Sequence, residues 1–486
     1  MHQSMNFVKG ALAAMAVCGI IATGHAQDTT MRVPDEQLNL RQCVDIAIKN
    51  NLTLRTSQLT LETDRALYQQ AIGNMLPNVG LTVNHQEYTG KSINPYTYSY
   101  VSQSQLTASY SLSAYVTLWA GSSLQHFLKQ NREAYQAGGF DVQQAKDNLT
   151  ITIILDYLSV LSAQEQLKAA MVQDSATREQ VRVYAARNQQ GSINPGDYFT
   201  LKGQLSQNDV TVATAVNTLE TAKVALSKDM NVQYSSSISL VPVGDTAASS
   251  PYGASIEDMY AYSIVHLPLI ESVDLKEQSA RNGLKGAKGT LLPVLYLTGG
   301  MNTNYSNLAQ GETYVNTTQE NTQQYVTVGG STYDVYVSQK NYQPNTLRYG
   351  YQLSNNINYS LGLQLSVPIL NGFSARTRVR NARITEESTR FNQSTARLQL
   401  RQAIATDYIN MTSAYKSYMA LQQAVSDYGA AYSAALARLD AGVITSYEFV
   451  GAKNSLDGAT LNLIGAKYNY ILQSKILDYY MGRLTL

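Results

Sequence analysis

Leu106-Thr107-Ala108-Ser109-Tyr110-Ser111-Leu112-Ser113-Ala114-Tyr115-Val116-Thr117-Leu118 is the most regular stretch of the chain. Every second residue from Leu106 to Leu118 is apolar or Tyr, and those between are Ser, Thr and Tyr115. A period of two marks a strand with one apolar and one polar face. The run is longer than the roughly five to six residues usual in soluble strands. It suits the roughly 9–11 residues that a tilted strand needs to cross a bilayer. The pattern returns at Ile357, Tyr359, Leu361, Leu363, Leu365, Val367 and Ile369, separated by polar residues, Gly362 and Pro368. Leu112, Leu363 and Leu365 are expected on a lipid-facing side. Partner strands are expected over about 79–88 and about 294–305, giving hairpins at about 79–118 and about 294–369 with polar, Tyr-rich tips. By itself the alternation fits a soluble sheet as well, but four strands are too few for a β-sandwich, which needs about seven.

Working outward, the chain is written twice. Leu118-Trp119-Ala120-Gly121-Ser122 resembles Ile369-Leu370-Asn371-Gly372-Phe373, an offset of 251 residues. At that offset Asp156-Tyr157 meets Asp407-Tyr408, Arg187 meets Arg438, and Asp197 meets Glu448. Upstream the offset is 216, where Leu76-Pro77 meets Leu292-Pro293 and Ile48 meets Ile264. The second copy therefore carries 35 extra residues between Pro293 and Gly372, in a stretch rich in Tyr, Thr, Asn and Gln. The repeats read as 27–230 and 255–486, joined by a Ser-rich linker at 231–254.

After each hairpin comes a run nearly free of Pro and rich in Ala, Gln, Arg, Leu and Glu, over 122–190 and 374–441. Each predicts about 100 Å of helix at 1.5 Å per residue, with a stripe through Ile151, Ile154, Leu155, Leu158 and Leu161 in the first. Shorter helices are expected at 40–50, 52–73, 198–228 and 446–480. The tips between long and short helices begin with Gly191 and Gly442, suited to ending a helix in the left-handed conformation. They reach Asp197 and Glu448 in the next first turn, where the helix dipole favours negative charge. Both acids fit a simple helix-capping role.

The N-terminus reads as a signal peptide over 1–26, with Lys9, an apolar stretch from Ala11 to Ala22, and small Gly24 and Ala26 before Gln27. Val17 before Cys18 is not the small residue that a lipoprotein signal wants. Its removal would leave Cys43 alone, so no internal disulfide is expected. The 486 residues are only 15% charged, with 36 Lys+Arg against 35 Asp+Glu. That balance argues against nucleic-acid binding, which needs a clustered basic surface. The 35 Tyr against 7 Phe and one Trp suit surfaces that meet water on one side and an amphipathic layer on the other. Trp119, where strand meets helix, fits either an interfacial aromatic belt or a buried packing role. His85, His126 and His266 show no metal-ligand spacing. There is no phosphate loop, nucleophile elbow or Cys-x-x-Cys pair. No catalytic residue, metal or cofactor is expected.

If the strands cross a membrane they must close, because every backbone polar group has to be paired there. Known barrels start at about eight strands, so several chains would have to pool theirs, and the long helices would pool as a sheath. The duplicated order of helices, hairpin, long helix, Gly-led tip and helix resembles the TolC-type outer-membrane efflux factors. So do the segment Leu40-Arg41-Gln42-Cys43-Val44-Asp45-Ile46-Ala47-Ile48-Lys49-Asn50-Asn51, the Leu-Pro pairs at Leu76 and Leu292, and the strand-to-helix Gly121 and Gly372. The resemblance covers about 38–481. It implies a mostly α fold with a small β part: a homotrimer with a twelve-stranded transmembrane β-barrel continuous with a long periplasmic α-helical barrel. It implies an exit duct in the outer membrane, docked on a periplasmic adaptor and an inner-membrane pump of the RND or ABC type. It also implies a resting constriction at Asp197 and Glu448, and adaptor contacts at the tip residues Gly191, Ile193, Gly442 and Ile444. Gly451 and Ile444 stand where family members carry an acid and a base. A stalk-like surface adhesin is the competing reading.

Overall fold

The computed structural model describes residues 37–93, 98–102, 104–242 and 252–484. The expected signal peptide and part of the expected linker lie outside them. The described residues are mostly helical, and their helices match in length between the two halves. α1 (Leu40–Asn50) and α5 (Ile256–His266) have 11 residues each. α2 (Leu52–Gly73) and α6 (Pro268–Gly289) have 22 each. The long helices α3 (Ser123–Gln189) and α8 (Ser374–Asp440) have 67 each. α4 (Pro195–Asp229) and α9 (Ser446–Tyr480) have 35 each. Local chemistry sets several boundaries. Asn39 and Gln42 form a capping box at α1. Asn194 caps α4 with Pro195 in its first turn, so α4 starts three residues before the sequence suggested.

The chain divides into two compact units, and each long helix belongs in part to both. One comprises the described parts of Met1–Arg55, Lys146–Met259 and Ile404–Leu486; the other is Thr56–Ala145 with Tyr260–Ala403.

In the second unit, β1 (Asn78–Tyr88), β4 (Gln105–Trp119), β5 (Val294–Ser306) and β8 (Asn358–Ser366) form one antiparallel sheet in the order β1-β4-β5-β8. The register repeats between the halves: Leu81 faces Leu112 in the first pair, and Leu297 faces Leu363 in the second. Leu112 also faces Met301, which joins the pairs without exchanging faces. One face thus carries Val79, Leu81, Leu112, Met301, Leu363 and Leu365, and the other Thr82, Ser111, Ser113, Asn302, Ser360 and Gln364. β8 ends at Ser366, short of the expected 369, because Pro368 has no N–H for the ladder. Its counterpart β4 continues to Trp119 through an irregularity after Thr117.

The 35 extra residues are not an irregular loop. β6 (Gln310–Val328) and β7 (Ser331–Thr346) form a separate antiparallel ribbon, followed by α7 (Tyr349–Asn355). The shorter first loop carries only a small ribbon of β2 (Lys91–Ile93) and β3 (Tyr100–Ser102).

At the sheet-to-helix junction Gly121 is left-handed (φ 59°), and a Cβ there would lie 2.6 Å from the Gly289 carbonyl. A Cβ on Gly289 would in turn lie 2.7 Å from the Gly121 carbonyl. Only glycine at both positions allows the end of α6 to approach so closely.

The first unit is cored by Cys43, Val44, Ala47, Ile153, Ile154, Tyr157, Leu158 and Leu161 with Leu226 and Met230. The buried stripe of α3 is shifted from the expected one: Leu155 is 43% exposed, and Ile153 and Tyr157 are inside. The linker's start is tied in by a parallel bridge from Leu240 to Leu38, with the Tyr157 hydroxyl 2.5 Å from the Val241 carbonyl. Burial pushes the Cys43 thiol up to about 12, which makes it a small apolar side chain rather than a nucleophile.

One buried acid stands out. Asp156 is 6% exposed and no donor reaches its Oδ2. At the offset of 251 its counterpart Asp407 accepts a 2.8 Å hydrogen bond from the Tyr480 hydroxyl. Tyr480 ends α9; the residue that ends α4 in the same place is Asp229. Asp156 therefore faces a second carboxyl where Asp407 faces a hydroxyl. Two carboxyls can hydrogen-bond only if one keeps a proton. Burial, then Asp229, push the Asp156 carboxyl up to about 7 against the opposing pull of Lys228.

The raised value fixes the sign of a pH effect. Between about 4 and about 7 the folded chain holds one proton more than the unfolded chain, so stability falls as pH rises through that window. The slope from this group is at most about 1.4 kcal/mol per pH unit. The melting midpoint is expected to decline from pH 5 to 7, and Asp156→Asn to flatten that decline. Equal slopes for both proteins would show that no proton is held there.

Candidate functional site

Two regions carry side chains that packing within the chain leaves unused. The first is the apolar sheet face. Leu81, Leu112, Leu363 and Leu365 are all exposed, Leu363 at 68%. Trp119, at the end of the sheet, is exposed as well, not buried. Among the described residues no helix is long and apolar enough to cross a membrane. The apolar area lies on strands instead. A soluble chain rarely leaves so continuous an apolar surface uncovered.

The second region is the pair of helix tips. α3 and α8 end alike. The Gly191 amide donates to the Asn188 carbonyl and the Ser192 amide to the Arg187 carbonyl. Gly442 donates to Leu439 and Val443 to Arg438 in the same pattern. These are Schellman ends, which use left-handed glycine, here at φ 68° and 70°. Asn194 and Thr445 then cap α4 and α9, accepting from the Gly196 and Glu448 amides.

The tips share a small core of Tyr184, Leu201, Leu439 and Phe449. Ile193 and Ile444 are half-buried against it, so both hold the turns in place, while Gly191 and Gly442 are exposed. Asp197 does more than lie in the first turn of α4. Its Oδ1 accepts a 2.9 Å hydrogen bond from the Ser446 amide at the start of α9. One tip's acid thus satisfies an orphan donor of the other tip's helix. Glu448 is exposed, and its own amide is held by Thr445. Behind the tip core the buried Lys453 is paired with Asp457, whose carboxyl burial pushes up and Lys453 pulls back.

Sequence reasoning passed over Phe199, Val443 and Tyr447. All three are exposed at the tips, Val443 at 66% and Tyr447 at 79%. For Val443 and Tyr447 the signal was a large apolar side chain within two residues of Gly442 or the capping Thr445, where a helix needs none.

His85 bonds the Tyr110 hydroxyl at 2.8 Å, His126 lies 3.3 Å from Asn282, and His266 packs on Tyr262. Among the described residues no group of His, Cys, Asp and Glu is arranged to hold a metal ion.

The sequence matches the outer membrane efflux protein family over residues 43–232 and 264–483. No match was found among curated protein sequences. Several solved structures share the fold. CusC, described in terms of transmembrane channel formation, aligns with a TM-score of 0.73 at 15% identity, over 91% of each chain. The outer membrane protein VceC from Vibrio cholerae aligns at 0.71 and 12% identity, over 91% of this chain and 96% of its own. The Campylobacter jejuni CmeC outer membrane channel aligns at 0.69 and 16% identity, over 92% and 86%. At these identities the likeness is one of fold.

The Asp197 bond can be tested directly. Asp197→Ala should leave the Ser446 amide without its partner, at a cost of about 1 kcal/mol typical of a lost cap. Hydrogen exchange over 443–449 is expected to quicken about fivefold, with the sheet unaffected. Unaltered exchange there would mean that the bond holds nothing in solution.

Proposed function

The chain belongs to the outer membrane efflux protein family, and from that premise we propose that it is the outer-membrane exit duct of a tripartite efflux or type I secretion system. Three copies pool their sheets into a twelve-stranded barrel, and the long helices of both internal repeats continue it as a periplasmic tunnel. The observation that carries this reading is the four-stranded sheet with one continuous apolar face and two unpaired outer strands. Such a sheet is unstable in lipid and sticky in water, and both faults vanish on closure with other copies.

In this reading Leu112, Leu363 and Leu365 meet lipid, and the Ser, Thr, Asn and Gln face lines the pore. Asp197 and Glu448 ring the periplasmic constriction, where six carboxylates in a trimer favour cations. Gly191 and Gly442, supported by Ile193 and Ile444, present the tips to a periplasmic adaptor, with Val443 and Tyr447 adding apolar contact area. An inner-membrane pump supplies the energy, so the duct needs no catalytic residue.

Light scattering on the detergent-solubilised mature protein, corrected for bound detergent, is expected to give the mass of three chains. A monomer that stays soluble without detergent would reject the barrel. Leu363→Arg should cost about 2–4 kcal/mol if the residue lies near the bilayer midplane and should lower the yield of assembled protein. Normal assembly of that variant would reverse the assignment of faces.

A further inference from the structure

The apolar face of the sheet is not bare along its whole length. At the end away from Trp119 the short helix α7 lies on it. Ala108, Tyr110, Thr303 and Tyr305 alternate onto the same face as Leu112 and Met301, and three of the four hold α7. The Tyr110 and Tyr349 hydroxyls are 2.6 Å apart. The Thr303 hydroxyl donates to the Leu353 carbonyl at 2.6 Å. The rings of Tyr305 and Tyr349 have centroids 4.5 Å apart. Ala108, on the same face, is buried.

The same helix closes an edge. β8 reaches only Asn358, opposite Asn302. Beyond that point β5 would show bare backbone, and two side-chain amides continue the ladder in place of a strand. Asn356 Nδ2 donates to the Asn304 carbonyl at 2.8 Å. Gln352, which is 1% exposed, accepts from the Ser306 amide at 3.0 Å and donates to the Ser306 carbonyl at 2.9 Å. Asn304 and Ser306 are alternate residues, the spacing at which an antiparallel strand bonds one neighbour. Backbone at the margin of a membrane must be paired in this way or meet water.

The exposed side chains of α7 and its cap have a different chemistry from the sheet face. They include Arg348, Tyr351, Ser354 and Asn355, and Arg348 is the only charged residue over 347–358. An aromatic ring with a hydroxyl beside a long-stemmed cation suits the headgroup level, and neither hydrocarbon nor open water. The apolar face left free also has the height of a bilayer core. From Tyr110, held by α7, to Trp119, β4 advances nine residues (119 − 110), about 30 Å at 3.3 Å per residue. Tilted by the roughly 40° usual in membrane barrels, that is about 23 Å, against an apolar band of about 25 Å.

We propose that α7 is a membrane-surface element that lies among the outer-leaflet lipid headgroups, with Arg348 meeting their phosphates, and that it marks the upper limit of the lipid on this chain. This rests on the barrel reading above and adds a depth in the bilayer and a headgroup contact.

Nitroxide labels on the full-length mature protein, in vesicles containing phosphatidylglycerol, test this. The native Cys43 is buried and takes no label. Oxygen reports access from the hydrocarbon, and a water-soluble nickel chelate reports access from the aqueous side. Oxygen should dominate at Leu363→Cys, and nickel at Tyr325→Cys in the ribbon. Tyr351→Cys should fall between them, at least twofold below Tyr325→Cys in nickel access and at least twofold below Leu363→Cys in oxygen access. A Tyr351→Cys label as open to nickel as that at position 325 would put α7 in water and overturn the proposal. One as rich in oxygen as that at position 363 would put it in hydrocarbon and overturn it equally. Nickel access dominating at position 363 itself would instead overturn the barrel reading, and the proposal with it. Arg348→Glu should move the position-351 label toward water, whereas Arg348→Lys should keep its depth; one depth for all three proteins would remove the phosphate contact. Gln352→Leu should loosen the label at position 351 and narrow its spectral lines. An unchanged line shape would show that the Gln352 amide does not hold α7 in place.

Discussion

The rest of the structure depends on the unpaired backbone of two strands. β1 and β8 each offer a full row of N–H and C=O groups on their outer side, flanked by exposed Val and Leu. Soluble proteins blunt such edges with charges, prolines or short strands. Here the charges are missing: Asn78–His85 in β1 and Asn358–Ser366 in β8 contain no Lys, Arg, Asp or Glu. An edge without gatekeepers is open to pairing with another strand. Pro368 stands just beyond the end of β8 and stops the ladder without spoiling it.

That constraint also explains which features were legible in the sequence. The alternation from Leu106 to Leu118 is what a sheet between two unlike media requires, and it reappears unchanged as the face register. The helix lengths were legible for a related reason. Tips led by Gly191 and Gly442 and caps at Asn194 and Thr445 are local chemistry, readable without knowing any partner. What could not be read were links between distant positions. The Asp197 carboxylate and the Ser446 amide lie 249 residues apart, and nothing near Asp197 distinguishes that role from an ordinary first-turn acid. The burial of Ile193 and Ile444 has the same origin, since their packing partners come from the other tip. The ribbon at Gln310–Val328 and Ser331–Thr346 escaped for a different reason. Its Thr, Asn, Gln and Tyr residues are polar or amphipathic on both faces, so no period of two emerges.

The two halves differ where repetition would otherwise have made them equal. Asp407 finds a hydroxyl in Tyr480, whereas Asp156 finds Asp229. Gly121 is packed within its own chain, whereas Gly372 faces open space. Ser446 has an amide hydrogen to give, whereas Pro195 has none. The divergence reaches matched surface positions as well: Glu133 is bound by the Asn282 side chain, whereas its counterpart at the offset of 251 is the exposed Ile384. Duplication therefore preserved the backbone plan, which needs the same helix lengths and strand registers, while side chains at matched positions were free to meet different neighbours.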